Sequence, residues 1–469
     1  MSSTITKVTL WGLVVAGCAA TAAASWYTVK SLDEHILSSV ESINRSGVMR
    51  ASWYPKSTMP FSRDGVLHLV VFNQQMRQNQ NAAQVDSDDP ESLREVQDTM
   101  AEPLPAEQQK PVELFVNISN SVLPLIVTGD ATLDMSRGSM ADLVAQQAVP
   151  ASLPIMLAWK FTAYNQGVDL RLSMDNWMIE HPDNMVKVGT AELTLKGDLK
   201  NMLEFHYGWQ GLKVNSKPAA QGDLEIMPLE GSTLLRRFAR TWISPEGHMT
   251  LEGMRFSAPD GKGEMGKFQF DAMMDESPSE TGVVLNIKHR ISLSNLSLNT
   301  PQDKFSLEDL SVGLNLSGLN KQGFEELAQL ADAEKPDFMQ MMKSLNKITT
   351  KSVKLELAPS RMKLNKAMLT AGGKLETLPF EVEQLMRASA ADTPDPFKYM
   401  VQGDLTVSAE PKIVSGLTAE LQQQLAGLQQ QGFIKSDNKG LTSHLLLRGG
   451  ELTANGNVVP VNEYRNPRE

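Results

Sequence analysis

Apolar and polar residues alternate along much of the chain beyond residue 110. Apolar side chains recur at every second position in the segments 112–118, 168–174, 203–209, 268–274, 283–293, 310–316, 353–357 and 399–407. A period of two marks a β-strand with one buried face, because successive side chains point to opposite sides. Gly-Asp steps, typical of turns, occur at 129–130, 197–198, 222–223 and 403–404. The pattern predicts an antiparallel meander, with an earlier strand at 66–72 and a closing hairpin at 441–459.

Helical segments are fewer. They are predicted at 31–44, 234–242, 324–331, 338–348, 381–390 and 413–428. Pro336 separates the third from the fourth, so these two are expected to form a helical pair. The predicted fold is mainly β with α insertions, built as an N-terminal transmembrane helix plus an elongated, curled antiparallel sheet.

The longest apolar stretch is Val8–Tyr27, which contains neither a charged residue nor a proline. About 20 apolar residues in a helix cross the ~30 Å hydrocarbon core of a bilayer. Lys7 precedes the stretch, and the positive-inside rule therefore favours a cytoplasmic N-terminus. The predicted organisation is a cytoplasmic tail at 1–7, a transmembrane anchor at 8–27, a juxtamembrane helix at 28–47 and a periplasmic β-rich domain at 48–469. The expected location is the bacterial inner membrane, crossed once.

Two other interpretations of the N-terminus stay open. A cleaved signal peptide would use the Ala-x-Ala sites at 20–22 or 22–24. A lipoprotein would use Cys18, which follows the small residues Ala16 and Gly17. Against the lipoprotein, the residues after Cys18 stay uncharged up to Trp26 and Tyr27, where a polar tether is usual.

The segment 74–111 differs in composition from the rest of the body. It is rich in Gln, Asn, Asp and Pro and poor in large apolar residues. Such a composition buries too little apolar surface to offset the entropy lost on ordering. The segment is predicted to be a mobile insertion in the periplasmic domain.

Composition excludes some chemistry. The net charge of −11, with no basic tract, argues against a nucleic-acid partner. Cys18 is the only cysteine and lies in the predicted anchor, so the body has no disulfide and no thiolate chemistry. The seven histidines never recur at the spacing of three or four that builds a metal site on a helix. No Gly-x-Ser-x-Gly, phosphate loop or dinucleotide-binding motif occurs. We predict no catalytic residue, no metal ligand and no cofactor.

The remaining charged or glycine-rich motifs have simple explanations. The run Asp260–Gly263 resembles a phosphate cradle but lacks a following helix, which favours a hairpin turn. The carboxylates at Asp86–Glu91 and Glu325-Glu326 are interpreted as solvated charge, with calcium disfavoured by their spacing. Arg236, Arg237 and Arg240 would form a basic face on the helix predicted at 234–242, either solvated or against lipid headgroups.

Two of the predicted strands carry the candidate ligand face. Its residues are Phe205, Tyr207, Trp209, Phe268, Phe270 and Met274. Residues of the same parity share one face of a strand, so each set meets core, ligand or lipid. Helices are too few to cover every strand, and a curled sheet would leave part of this surface lining a trough. Packing of these residues against one another explains the same alternation, since any half-buried strand shows it.

Both ends of the chain resemble a known family. Ser25–Leu32 (SWYTVKSL) leaves an Ala-rich anchor, and Gly450–Gly456 (GELTANG) closes the last hairpin. Both are similar to the YdgA-like family of gamma-proteobacterial membrane proteins (domain of unknown function 945). The stretch 289–316 also resembles that family's strands before a helical insertion near Asn320. Only part of the family's Tyr-x-Arg-Gly-x-Phe-Ser-Ser run survives, in Pro60–Arg63. More remotely the chain looks like AsmA-type envelope proteins, which implies curled sheets around a lipid-sized groove.

The sequence therefore favours a non-enzymatic envelope protein, anchored in the inner membrane by Val8–Tyr27. It would bind an apolar, lipid-like ligand or a protein partner along its extended periplasmic sheet. A structural scaffold without ligand and an envelope hydrolase with an unidentified site are the alternatives. A homo-oligomer is also left open.

Overall fold

The computed structural model describes residues 32–71, 111–382 and 400–459, with short gaps inside these ranges. The predicted anchor at 8–27 and nearly all of the predicted insertion at 74–111 lie outside the described residues. So does most of the helix predicted at 381–390. Within the described part of the chain, no helix is long and apolar enough to cross a membrane.

The chain divides into two compact units. The first spans Met1–His181 and Gly189–Leu199, and the second spans Pro182–Val188 and Lys200–Glu469. Antiparallel sheet dominates both, as the alternating pattern predicts.

The first unit begins with helix α1, whose described residues lie between 32 and 45, as predicted. Its other elements are β1 (Met49–Ser57), β2 (Asp64–Val71), β3 (Val112–Leu123), β4 (Ile126–Leu133), α2 (Gly138–Ala145), β5 (Ile155–Thr162), β6 (Gly167–Met174), β7 (Trp177–Glu180) and β9 (Ala191–Asp198). The sheet pairs in the order β1-β2-β3-β4-β5-β6-β9, antiparallel throughout. The strand predicted at 66–72 corresponds to β2, and β1 precedes it in the chain.

Helix α1 packs on this sheet through apolar and polar contacts. Leu32 lies against the buried pair Val122 and Val127. Arg63 Nε donates a hydrogen bond of 3.1 Å to Asp33 Oδ1. These two contacts hold helix α1 against the sheet of the first unit.

The second unit holds the other strands and helices in chain order. They are β8 (Asn184–Val188), β10 (Met202–Trp209), β11 (Leu212–Ser216), β12 (Asp223–Ile226), β13 (Leu229–Phe238), β14 (Thr241–Leu251), β15 (Met254–Ala258), β16 (Gly261–Met265), β17 (Phe268–Ser279), β18 (Gly282–Asn299), β19 (Lys304–Asn320), α3 (Lys321–Ala331), α4 (Phe338–Thr349), β20 (Lys354–Leu364), β21 (Ala367–Thr377), β22 (Val401–Ala409), a 3-10 helix (Pro411–Gly416), α5 (Ala419–Gln430), β23 (Lys435–Asp437), β24 (Gly440–Arg448), β25 (Glu451–Ala454) and β26 (Asn457–Val458). The helical pair, the closing hairpin and the turn at Asp260 are all confirmed.

Two strand ladders meet in this unit at β18. The longer ladder runs β10-β13-β14-β17-β18-β19-β20-β21-β22-β24-β25. The shorter runs β8-β11-β12-β15-β16 and joins the C-terminal part of β18. All pairings in both ladders are antiparallel.

A crease separates the two ladders. At the crease, successive apolar residues are three positions apart instead of two. The residue pairs on either side of these breaks are 209 and 212, 226 and 229, 251 and 254, 265 and 268, 293 and 296, and 307 and 310. Neighbouring breaks are hydrogen-bonded to each other, as Met227 N is to Gly253 O at 2.9 Å. Gly211 and Gly253 adopt positive φ there, a conformation that glycine adopts without steric cost. The strands therefore change their apolar period at the crease while backbone hydrogen bonds continue across it.

Two helix predictions are wrong. The described residues of the segment 234–242 belong to β13 and the start of β14, so Arg236 and Arg237 do not form a helix face. Arg240 lies outside the described residues. Strand pairing on both sides of β13 outweighs the local helical preference of its leucines and arginines. The segment 413–428 is not one helix, because the 3-10 helix ends at Gly416 before α5 starts.

Candidate functional site

The strand registers place the predicted ligand residues on one face of the longer ladder. Directly opposed residues of an antiparallel pair point to the same side. Trp209 thus connects through Leu229 and Leu251 to Phe268. Tyr207 connects in the same way, through Gly231 and Met249, to Phe270. The two predicted stripes are therefore parts of one surface, although strands β13 and β14 lie between them.

We call this surface the apolar face. Beyond β17 it continues in three rows. They read Phe270–Ile291–Val312, then Ala272–His289–Leu314–Leu357–Gly373–Leu405–Leu445–Ala454, and finally Met274–Ile287–Leu316–Leu355–Leu375–Gly403–Leu447–Leu452. The predicted residues thus form one end of a face that extends over the whole longer ladder.

At the β10 end of this face, an aromatic ring lies over a glycine of the neighbouring strand. The ring of Tyr207 occupies the space that a Cβ on Gly231 would need. Its centroid is 5.6 Å from that of Phe205, in a tilted arrangement. Burial raises the pKa of the Tyr207 hydroxyl, which keeps it neutral. The ring of Tyr207 therefore packs against its own sheet.

Farther along the ladder the apolar face is open to solvent. Ile291, Leu314 and Leu375 are 37%, 41% and 43% exposed, respectively. Large apolar side chains this exposed are individually common, but these three lie on one continuous surface. The apolar rows of the shorter ladder also carry exposed residues, Phe256 and Leu298 among them.

The open part of the face contains a depression of about 300 Å³, the leucine pocket. Its side-chain walls are Leu314, Leu355, Leu357, Leu375, Leu405, Leu445, Leu447 and Leu452. Gly373 and Gly403 also line it. They are diagonal neighbours on β21 and β22, so two adjacent positions of this leucine-rich surface carry no side chain.

Helix α3 packs against the longer ladder where β18 begins. Phe324 of α3 contacts the buried Phe238 at 5.6 Å between ring centroids. Lys321 Nζ lies 2.8 Å from Glu276 Oε2, and Arg236 lies 2.5 Å from the other oxygen of this carboxylate. The hydrogen bond from Lys321, supported by Arg236, lowers the pKa of Glu276. Helix α3 is thus held to the ladder by an aromatic contact and a three-residue ion pair.

The reverse side of the ladder is a polar face. Here Lys288 lies 2.9 Å from Asp275 and His444 lies 2.9 Å from Asp404. The hydrogen bond from Lys288 is the largest cause of the lowered pKa of Asp275. Some apolar side chains also lie on this side, among them Met273 at 54% exposure. The two faces of one sheet therefore differ sharply in polarity.

One cluster on the polar face resembles hydrolase chemistry. His248 Nδ1 is 2.6 Å from Asp271 Oδ1, and its Nε2 is 3.0 Å from Thr250 Oγ1. A nucleophile needs access to its substrate, but Thr250 is only 1% exposed. The buried hydroxyl is hydrogen-bonded as a structural group of a strand would be.

Metal binding finds no support among the described residues. No group of three or more His, Cys, Asp or Glu side chains converges there. Glu326 instead accepts hydrogen bonds from Lys347, Ser344 and Gln322. The cluster at Asp86–Glu91 lies outside the described residues.

The predicted ligand residues lie toward the β10 end of the apolar face, and the leucine pocket was not predicted. The signal was present as Leu355 and Leu357 in the strand predicted at 353–357. The glycine pair at 372–373 lies at the middle of a strand, β21, that was not predicted. Glycine there suggests close approach of another group.

Comparison with known proteins gives one match. Residues 154–462, about two thirds of the chain, match the profile of a family described as "Bacterial protein of unknown function (DUF945)". The matched range includes the entire second unit apart from its last seven residues. No curated protein and no solved structure matches the chain.

Proposed function

The chain belongs to the DUF945 family of bacterial proteins, and from that premise we propose that it is a non-enzymatic envelope protein that binds a lipid-like ligand on its apolar face. The observation that carries the proposal is the open stretch with Ile291, Leu314 and Leu375. Its exposed side chains are continuous with one another and with the leucine pocket. Continuous exposed apolar surface is characteristic of binding sites.

The chemistry of the surface favours a lipid over a polar ligand. His289 is the one titratable residue in the rows between β17 and β25, and its ring lies 5.7 Å from that of Phe270. A ligand rich in hydrogen-bonding groups would leave them unpaired against leucine, which costs free energy. A hydrocarbon chain has no such groups, and burying it gains about 0.8 kcal/mol per methylene.

The proposed location rests on the sequence. Val8–Tyr27 would anchor the chain in the inner membrane, with the sheets in the periplasm, curled so that the apolar face lines a trough. An alkaline phosphatase fusion after Asn44 is expected to be active and one before Lys7 inactive. Inverted activities would reverse the orientation. Loss of membrane retention in Cys18→Ser would establish the lipoprotein alternative instead.

Site-specific photo-crosslinking tests ligand binding. A benzophenone amino acid at Ile291 is expected to capture lipid in living cells, because this position is exposed on the apolar face. The matched control is Met273, which is apolar and more exposed but lies on the polar face. Mass spectrometry of the adducts identifies what is captured.

Three outcomes separate the alternatives. Lipid adducts at position 291 and none at 273 support the proposal. Equal labelling at both positions indicates contact with bulk membrane or detergent and refutes a ligand face. A folded protein that captures no lipid at either position supports the alternative function, a structural scaffold that binds no ligand.

A further inference from the structure

The leucine pocket occupies a defined place on the apolar face. It lies between β19 and β25, on the strands farthest from the predicted aromatic residues of β10. Two open positions, Leu314 and Leu375, form part of its rim. A ligand lying along the open stretch would therefore reach the pocket without crossing a polar surface.

The leucine pocket has too few polar groups to bind a peptide, and it is too small to accommodate the surface of another protein. Every side chain that lines its apolar side is leucine. Lys374 and Asp404 border it but alternate with these leucines, so they belong to the polar face, where Asp404 pairs with His444. A peptide would bring backbone N–H and C=O groups that need partners, and the leucines offer none.

The volume and the glycines indicate a thin occupant. At about 300 Å³ the depression is at the small end of the range of ligand pockets, so it takes only part of a lipid-sized ligand. Gly373 and Gly403 give the lining two adjacent positions without a side chain. A single hydrocarbon chain is narrow enough to lie there between the leucines.

From these features we infer that the leucine pocket is a subsite for the end of one acyl chain, and that it selects ligands by chain length. This inference rests on the proposed function, because it names the class of ligand and the place of its apolar end. An acyl chain gains affinity with each methylene that enters the pocket, about fourfold per group. The gain stops when the pocket is full.

Gly403 provides the test of this length selection. A Cβ added there would meet Leu375 Cδ1 at 2.9 Å, the end of a flexible and exposed side chain that can rotate away. In Gly403→Met the new side chain enters the pocket and shortens it. The matched control is Gly208→Met on the polar face of β10, where an added Cβ meets nothing within 4 Å.

The probe is a series of saturated fatty acids of increasing length, bound to the delipidated full-length protein in mild detergent. For wild type and Gly208→Met, affinity is expected to rise with length and then level off at the same length. For Gly403→Met it should level off about two to four methylenes earlier, because the Met side chain fills the volume of roughly that many groups. Circular dichroism verifies that each variant is folded.

The results separate this inference from the proposed function. Identical length profiles for all three folded proteins overturn the inference, even if crosslinking at Ile291 captures lipid. Absence of lipid at Ile291 overturns the proposed function itself. If Gly403→Met does not fold, Leu375→Trp is used instead, because it narrows the pocket from its exposed rim. An unchanged length profile in Leu375→Trp would also overturn the inference.

Discussion

Leu285 and Ile291 allow a direct test of how open the apolar face is. Both are on strand β18 and have the same parity, so both belong to the apolar face. Leu285 is 0% exposed at the end near α3, whereas Ile291 is 37% exposed. Replacing each with Asp places the same charge at a closed and at an open position of one surface.

The expected costs differ several-fold. In Leu285→Asp the lost burial of the side chain is worth ~1.5–3 kcal/mol. A buried carboxylate directly opposite that of Glu276, which already engages the nearby cations, adds ~3–5 kcal/mol. The sum is comparable to the whole stability of a domain, ~5–15 kcal/mol, so this variant should not fold stably. In Ile291→Asp about two thirds of the side-chain burial is lost, worth ~1–2 kcal/mol, and the carboxylate stays in water.

Urea unfolding followed by tryptophan fluorescence measures both costs, with Met273→Asp on the polar face as the control. We expect a native-like baseline for Ile291→Asp and its loss for Leu285→Asp. If Ile291→Asp destabilised the protein as much as Leu285→Asp, position 291 would belong to a closed core. The argument for a ligand surface would then fail.

Three further predictions concern single contacts. The pKa of Glu276 is lowered in the folded state, so its carboxylate stabilises the fold fully above pH 4.5, and this stabilisation is lost as the pH falls through the folded pKa. The free energy of unfolding should therefore fall less steeply with acid in Glu276→Gln than in wild type, and parallel curves would contradict this. Gly373→Ala should lower Tm clearly more than Gly403→Ala, since its Cβ would overlap a backbone carbonyl rather than a side-chain end; equal shifts would show that the strands can separate. Asn120→Ala should cost ~1–3 kcal/mol by urea unfolding, because it leaves the Trp159 indole N–H without its 3.0 Å acceptor; a neutral effect would mean that water replaces the amide.

Local pattern was a good guide to the strands and a poorer one to the short helices. The alternating leucines and isoleucines of 283–293 and 310–316 predicted parts of β18 and β19, which extend beyond both segments. The segment 234–242 has two leucines, three arginines and no glycine or proline, which favours a helix locally. Its two neighbours in the sheet impose the strand instead, and neither is visible in a window of nine residues.

The sequence alone is enough to show which side chains of each strand share a face, because the period of two is a property of the extended backbone. It therefore placed Phe205 with Tyr207 and Phe268 with Phe270. It could not determine that these pairs belong to one surface, since that depends on strands β13 and β14 and on their registers. Register is set by the packing of many strands at once and by turn geometry.

The tertiary structure alone decided where the apolar face is closed and where it is open. Leucines look alike in sequence, yet Leu285 is fully buried beside α3 while Leu314 lies exposed at the rim of the leucine pocket. The pocket itself depends on Gly373 and Gly403, thirty residues apart, becoming diagonal neighbours on paired strands. Exposure is a property of what packs against a residue, and such contacts between distant segments exist only in the folded chain.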